Sequence, residues 1–303
     1  MYRAVKISKQ AVAQQQRRQV VFDEQLAHLI VEVDILRADH PGCGIEKMYY
    51  TLHPNFIGRD RFIDIFMKLG YRVNKPKNFI KTTFSVYCKY KNLIDGLLVT
   101  QINQVVQSDI TYIHINGKFY YLVFIIDVYS KRIVGYQASD HLRATANVAA
   151  LRQLFRLRGK SQLAGMIHHS DRGSQYIASQ YIKILTGANC FISMGMDARQ
   201  NAYAERVNGI IKNEYLKHWD IPDFKTLKSK LRKAVKHYNY HRQHNHLPPR
   251  MSPIEFEKHL KNQTLSTVHQ ELIYAAQNCV NRTALRILKI STEKNQGYFC
   301  PIF

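Results

Sequence analysis

Acidic residues are scarce in this chain. Only 22 Asp and Glu stand among 303 residues, against 44 Lys and Arg, for a formal net charge of +22. A globular surface with that imbalance attracts polyanions rather than cationic partners. Cysteine is also sparse: the five residues (Cys43, Cys88, Cys190, Cys279, Cys300) are scattered, and no CxxC occurs. This excludes a zinc ribbon and a disulfide framework. Thiols that stay reduced are expected of a cytoplasmic protein. No stretch reaches the roughly 18 apolar residues a membrane span needs. The longest apolar run, Phe119 to Ile126, has the length of a strand. The opening MYRAVKISKQAVAQQQ has no apolar core of signal-peptide length. The expected setting is therefore the cytoplasm, with no membrane partner.

Apolar residues make up 46% of the chain, enough for a sizeable core, and the length predicts two domains. The cations are clustered. Twelve Lys and Arg lie between Arg199 and Arg250, with four acids, and a second basic run covers Arg72, Lys75, Lys77, Lys81, Lys89 and Lys91. Such clusters are suited to contacting phosphates.

Residues 24–69 read as three helices. LAHLIVEVDILRAD (26–39) has apolar residues at helical spacing and should stop near His40-Pro41-Gly42. The second is expected over 45–52, and the third after Gly58. With the Lys-rich YRVNKPKN that follows, this predicts a helix-turn-helix module within residues 1–77. Residues 78–103 read as a linker, 104–262 as the main domain, and 263–303 as a tail without a readable motif. In the main domain, strands are expected over 105–115 and 118–128, joined by Asn116-Gly117, a strong hairpin signal. The second strand is apolar without alternation, which predicts cover on both faces. A third strand is expected at 131–139, a helix at 142–157, a strand ending at Asp171, a helix near 174–186, and a strand at 190–194. Helices should follow at 203–218 and 224–242. The order predicts an α/β fold with a mixed five-stranded sheet flanked by helices.

Three carboxylates fall where a sheet-based site needs them. Asp109 lies within the first strand, Asp171 ends the fourth, and Glu205 is on the helix after the last. Each has an ordinary alternative: Asp171 as a helix cap, Asp109 as a solvent-facing strand residue, Glu205 as a first-turn acid. Together they would repel one another unless hard divalent cations relieved the repulsion, and oxygen donors suit magnesium or manganese. Two ions about 3.5–4 Å apart can drive an in-line phosphoryl displacement. Asn208 and Lys212 share the helix face of Glu205 and are candidate DNA contacts. Asp127 reads as structural, and His168 and His169 as packing or DNA-contact residues rather than ligands. Tyr238, Tyr240 and His241 read as core aromatics, with stacking on unpaired bases as the alternative.

Asp109-Ile110-Thr111-Tyr112, His169-Ser170-Asp171-Arg172-Gly173-Ser174-Gln175-Tyr176 and Asn201-Ala202-Tyr203-Ala204-Glu205-Arg206-Val207-Asn208-Gly209 together resemble the DDE transposase/retroviral-integrase superfamily. The closest likeness is to second-frame transposases of bacterial insertion sequences built from two overlapping reading frames. Asp127-Val128-Tyr129-Ser130-Lys131 and Tyr238-Asn239-Tyr240-His241-Arg242 extend the resemblance, which covers roughly residues 30–260. It implies an RNase H-like catalytic core and two-metal chemistry with Mg2+ or Mn2+ at Asp109, Asp171 and Glu205. It also implies cleavage and strand transfer on double-stranded DNA, homo-oligomers on DNA, and a first-frame helix-turn-helix partner or fusion. Candidate DNA contacts are Arg59, Arg61, Lys75 and Lys77 in the module, and Arg172, Asn208, Lys212 and Arg242 in the core. There are departures from the family pattern. The 33 residues between Asp171 and Glu205 are slightly fewer than usual. Val105-Val106-Gln107 replaces the tryptophan often found before the first acid. Glu214 is the fallback third acid, but nine residues down a helix is about 13 Å. A DNA-binding protein without activity and a purely hydrolytic nuclease are the competing readings.

Overall fold

A computed structural model of the chain describes residues 8–73, 89–195, 198–247, 250–262 and 271–272. Its first helix, α1 (Lys9–Asp39), is longer than the apolar periodicity predicted. The added residues, KQAVAQQQRRQ, lack a buried face but are good helix formers with no breaker. The Ser8 hydroxyl caps them by accepting the Ala11 N–H at 3.0 Å. Helices α2 (Ile45–Leu52) and α3 (Arg59–Lys68) lie where expected. Leu29 and Val33 of α1 pack with Met48, Phe62 and Phe66 into a small core of their own. Lys75, Lys77, residues 78–88 of the expected linker and all of the expected tail except 271–272 lie outside the described residues.

Strand β1 (Leu98–Val99) leads into the main domain. Strands β2 (Val105–Ile115) and β3 (Lys118–Asp127) form the expected hairpin. Asn116 and Gly117 both take positive φ, 46° and 79°, as a two-residue type I′ turn requires. Strand β4 (Ile133–Ser139) pairs antiparallel with β3. Helix α4 (Ala144–Arg158) returns the chain to β5 (Ile167–Ser170), which runs parallel to β2. A 3-10 turn (Ser174–Ile177) and helix α5 (Ser179–Thr186) replace one predicted helix, broken by extended backbone at Ala178. Strand β6 (Phe191–Met194) closes the parallel side. The sheet order is β4-β3-β2-β5-β6, the mixed five-stranded sheet that an RNase H-like core implies.

Helix α6 (Ala202–Ile210) continues into a π-turn (Ile211–Tyr215), then α7 (Phe224–Tyr240) and α8 (Pro253–Lys261) follow. A last pair of residues, β7 (Glu271–Leu272), pairs with β1. Val123 and Ile125 of β3 pack toward α4 and α5. Leu122, Phe124 and Ile126 pack toward α6 and α7. Helices on both faces explain why β3 is apolar at successive positions. Among the described residues, no helix is long and apolar enough to cross a membrane.

Candidate active site

Strand register sets the first two carboxylates side by side. The parallel β2/β5 ladder pairs Gln107 with His169 and Ser108 with Ser170. Asp109 is the next residue of β2, and Asp171 is the first residue after β5 ends at Ser170. Paired residues on parallel strands point to the same face, so both carboxylates emerge on one side, a strand spacing apart. Asp171 is also a turn former: its Oδ1 accepts the Gly173 N–H at 3.1 Å, an Asx-type bond two residues on. Beneath them, the buried Tyr176 hydroxyl meets the Ser108 hydroxyl at 3.0 Å.

The third acid arrives on α6, and β2 anchors that helix directly. Gln107 is fully buried. Its Oε1 accepts the Tyr203 and Ala204 N–H groups at 3.0 and 3.3 Å, capping the first turn of α6. Asn201 Nδ2 donates to the Ser108 carbonyl at 2.9 Å. The strand carrying Asp109 therefore fixes the start of the helix carrying Glu205. Sequence reading missed this role of Gln107, although the residue stands where the family often has tryptophan. An uncharged amide two residues before the strand carboxylate Asp109 was the available signal.

Electrostatics tie the three acids together. Burial and the neighbouring Asp171 carboxylate push the Asp109 carboxyl well above the usual range, and Glu205 adds to the push. Burial also raises Asp171, opposed by the Gly173 N–H and Arg172. Among the described residues, no three His, Cys, Asp or Glu side chains converge into a ready cage for an ion. The donor chemistry nonetheless fits a hard divalent cation, because oxygen ligands that repel one another gain most from one.

Two expected DNA contacts point inward. Asn208 is buried, and its Nδ2 donates to Asp109 Oδ2 at 2.6 Å. Lys212 Nζ donates to Thr111 Oγ1 at 2.9 Å and to the Tyr112 carbonyl at 3.2 Å. Both brace the strand of Asp109. Arg242 requires a correction. It is buried, with Nε and Nη2 on the two oxygens of Glu214 at 2.8 and 2.7 Å. His40 Nε2 lies 2.6 Å from the same carboxylate, and the Lys47 ammonium 3.5 Å. The Gly42 N–H donates to the Glu214 carbonyl at 2.7 Å. A Cβ at Gly42 would sit 2.4 Å from Glu214 Cα, so only glycine permits the contact. Glu214 thus clamps the N-terminal module to the π-turn after α6 and is no third catalytic acid. Those contacts also explain why the predicted single helix over 203–218 departs from α geometry.

The remaining candidates lie as follows. Arg59 and Arg61 are exposed on α3, Arg59 beside Asp60 and Arg61 over the Phe22 ring. Arg172 is half-buried beside Asp171. Asp127 is fully buried and accepts the Asn103 and Ser130 N–H groups at 2.7 and 2.9 Å, a structural role. His168 and His169 are buried on Tyr181 and Ser193 at 2.7 and 2.8 Å. Tyr238 is core, its hydroxyl donating to the Lys131 carbonyl, whereas Tyr240 and His241, at the end of α7, are exposed and not core.

Comparison with known proteins shows the family. Two models of the integrase core domain match residues 99–199 and 186–251. The chain is 33% identical over 223 residues to the "Insertion element IS600 uncharacterized 31 kDa protein" of Shigella sonnei, covering 71% of this chain and 81% of that one. The chain belongs to the integrase-core transposases of bacterial insertion sequences. It is 31% identical over 174 residues to the transposase for insertion sequence element IS904 of Lactococcus lactis, 55% of this chain and 67% of that one. It is 38% identical over 116 residues to the transposase for IS629 of Shigella sonnei, where the match spans 38% of that protein. Among solved structures, the HTLV-2 integrase catalytic core domain in complex with magnesium matches 55% of this chain and 99% of that one, at 20% identity and a TM-score of 0.42.

Proposed function

We propose that this transposase cuts DNA at the ends of its element and joins the freed 3′-hydroxyl to a second strand, using Asp109, Asp171 and Glu205. The observation that carries the reading is the register. Asp109 and Asp171 are successors of the paired Ser108 and Ser170, and the helix of Glu205 is capped from the same strand. The three carboxylates would hold a pair of Mg2+ or Mn2+ ions. Bound there, such ions activate a water or 3′-hydroxyl and stabilise the leaving oxygen. Asn208 orients the Asp109 carboxylate through its amide, and Lys212 fixes the strand beside it. No side chain serves as a covalent nucleophile, so water and the 3′-hydroxyl attack in turn. Arg59 and Arg61, with Lys75 and Lys77, would hold duplex DNA near the element end, and Arg172 would meet it at the site. The setting is the cytoplasm, on the nucleoid when DNA is bound, with a first-frame helix-turn-helix partner or fusion. The test is product analysis on a labelled duplex carrying the element end, with an unlabelled target. Strand-transfer products alongside 3′-hydroxyl ends are expected. Cleavage without joining would favour a hydrolytic nuclease.

A further inference from the structure

Among the described residues, one long helical face is left uncovered. From Lys9 to Val21 every α1 side chain is exposed except Val12, which is half-buried. The module's own core uses the face of α1 formed by Phe22, Leu26, Leu29, Val33 and Leu36. Two residues out of phase, on nearly the opposite side, runs a second stripe: Ala13, Arg17, Val20, Glu24, Ala27, Val31, Asp34 and Ala38. All eight are exposed, and Val20 and Val31 are 56% and 57% accessible. Their spacing alternates four and three, the repeat of a two-helix coiled coil.

We propose that this stripe pairs α1 with α1 of a second copy, antiparallel. The stripe is its own complement under a two-fold axis between residues 25 and 26. That axis sets Ala13 against Ala38, Arg17 against Asp34, Val20 against Val31, and Glu24 against Ala27. A two-fold interface requires such self-complementarity. The alanines let the helices approach closely, and the valines lie in the seam. Charge selects the direction. Residues 9–21 carry Lys9, Arg17 and Arg18 and no carboxylate, whereas residues 22–39 carry Asp23, Glu24, Glu32, Asp34 and Asp39 against Arg37 alone. Antiparallel pairing sets the basic half of each helix on the acidic half of the other. Parallel pairing sets like on like. The Tyr71 hydroxyl donates to Asp34 Oδ1 at 2.6 Å and keeps that carboxylate in place. The paired length, 13 to 38, is about 38 Å.

The test is light scattering on the full-length chain without DNA, as a function of concentration. The wild type is expected to be dimeric. Arg17→Asp and Asp34→Arg each turn two attractive pairs into two repulsive ones. Each alone should weaken dimerisation about 30-fold, or ~2 kcal/mol. Mixed together, the two variants should form a heterodimer in which both pairs are again opposite in sign. That rescue also shows that both variants are folded. Val31→Asp, on an exposed seam position, should give a monomer with unchanged circular dichroism. A monomeric wild type, a dimer that survives Arg17→Asp, or variants that stay apart when mixed would overturn the proposal.

Discussion

Replacing Arg242 by alanine separates two readings of one basic residue. A surface arginine bound to phosphate would leave the fold intact when removed. Arg242 instead makes both guanidinium bonds to Glu214, at 2.8 and 2.7 Å, where the N-terminal module meets the core. Those bonds, with His40, hold the Glu214 carboxyl far below the usual range against the opposing effect of burial. Removing one member of a buried pair costs about 3–5 kcal/mol, because the partner charge is left behind. His40 and Lys47 remain within 2.6 and 3.5 Å, which places the loss at the lower end, about 3 kcal/mol. At 2–4 °C per kcal/mol, Tm should fall by about 6–12 °C. The salt dependence of DNA binding should be unchanged, whereas a lost phosphate contact would lower the slope by about 0.9. Thermal melting with a salt titration of DNA binding reads both. A variant with wild-type Tm and a reduced slope would refute the clamp.

Other perturbations act nearer the carboxylates. Asn208→Ala should lower cleavage by about 10–100-fold with DNA affinity unchanged, since an amide that orients a metal-binding carboxylate is lost; single-turnover cleavage beside a binding isotherm checks it. Asp109→Asn should abolish cleavage yet stabilise the metal-free chain by on the order of 1–2 kcal/mol, seen as a higher Tm, because a desolvated, repelled carboxylate becomes a neutral amide. Magnesium should then raise the Tm of the wild type and not that of the variant. Gln107→Ala uncaps α6 and should cost about 1 kcal/mol per lost bond, with cleavage falling further than stability. Burial holds His168 and His169 neutral, pushed down to about 3 and about 4. The unfolded chain takes up their protons below about 6.5 while the native chain does not, so stability is full above that pH and lost as it falls. Near pH 4.5 each histidine should cost about 2–3 kcal/mol, measured by denaturant titration across pH.

Most of the sheet was legible because its signals are local. Asn116-Gly117 can only turn one way between two β-rich runs, and the unbroken apolar β3 reports cover on both faces. The family's motifs single out the three acids, and the β2/β5 register brings the strand positions beside Asp109 and Asp171 together. What escaped was settled by contacts distant in sequence. Arg242 lies in a basic stretch that reads as DNA-facing, and only its meeting with Glu214 and His40 gives it another task. Asn208 and Lys212 follow Glu205 along the helix as predicted, but their amide and ammonium reach β2 while Glu205 is exposed. The π-turn at Ile211–Tyr215 has no sequence signal of its own; it follows from Gly42 pressing on the Glu214 backbone. The first half of α1 was missed because polar helix formers carry no periodicity.

The most direct test of the catalytic site is single-turnover nicking and joining of a labelled element-end duplex, with magnesium or manganese, by the wild type and Asp171→Asn. The wild type should give 3′-hydroxyl ends and joined products only when metal is present. Asp171→Asn should bind the duplex and give neither. Cleavage surviving in Asp171→Asn would contradict the assignment of Asp109, Asp171 and Glu205 as the groups that cut DNA.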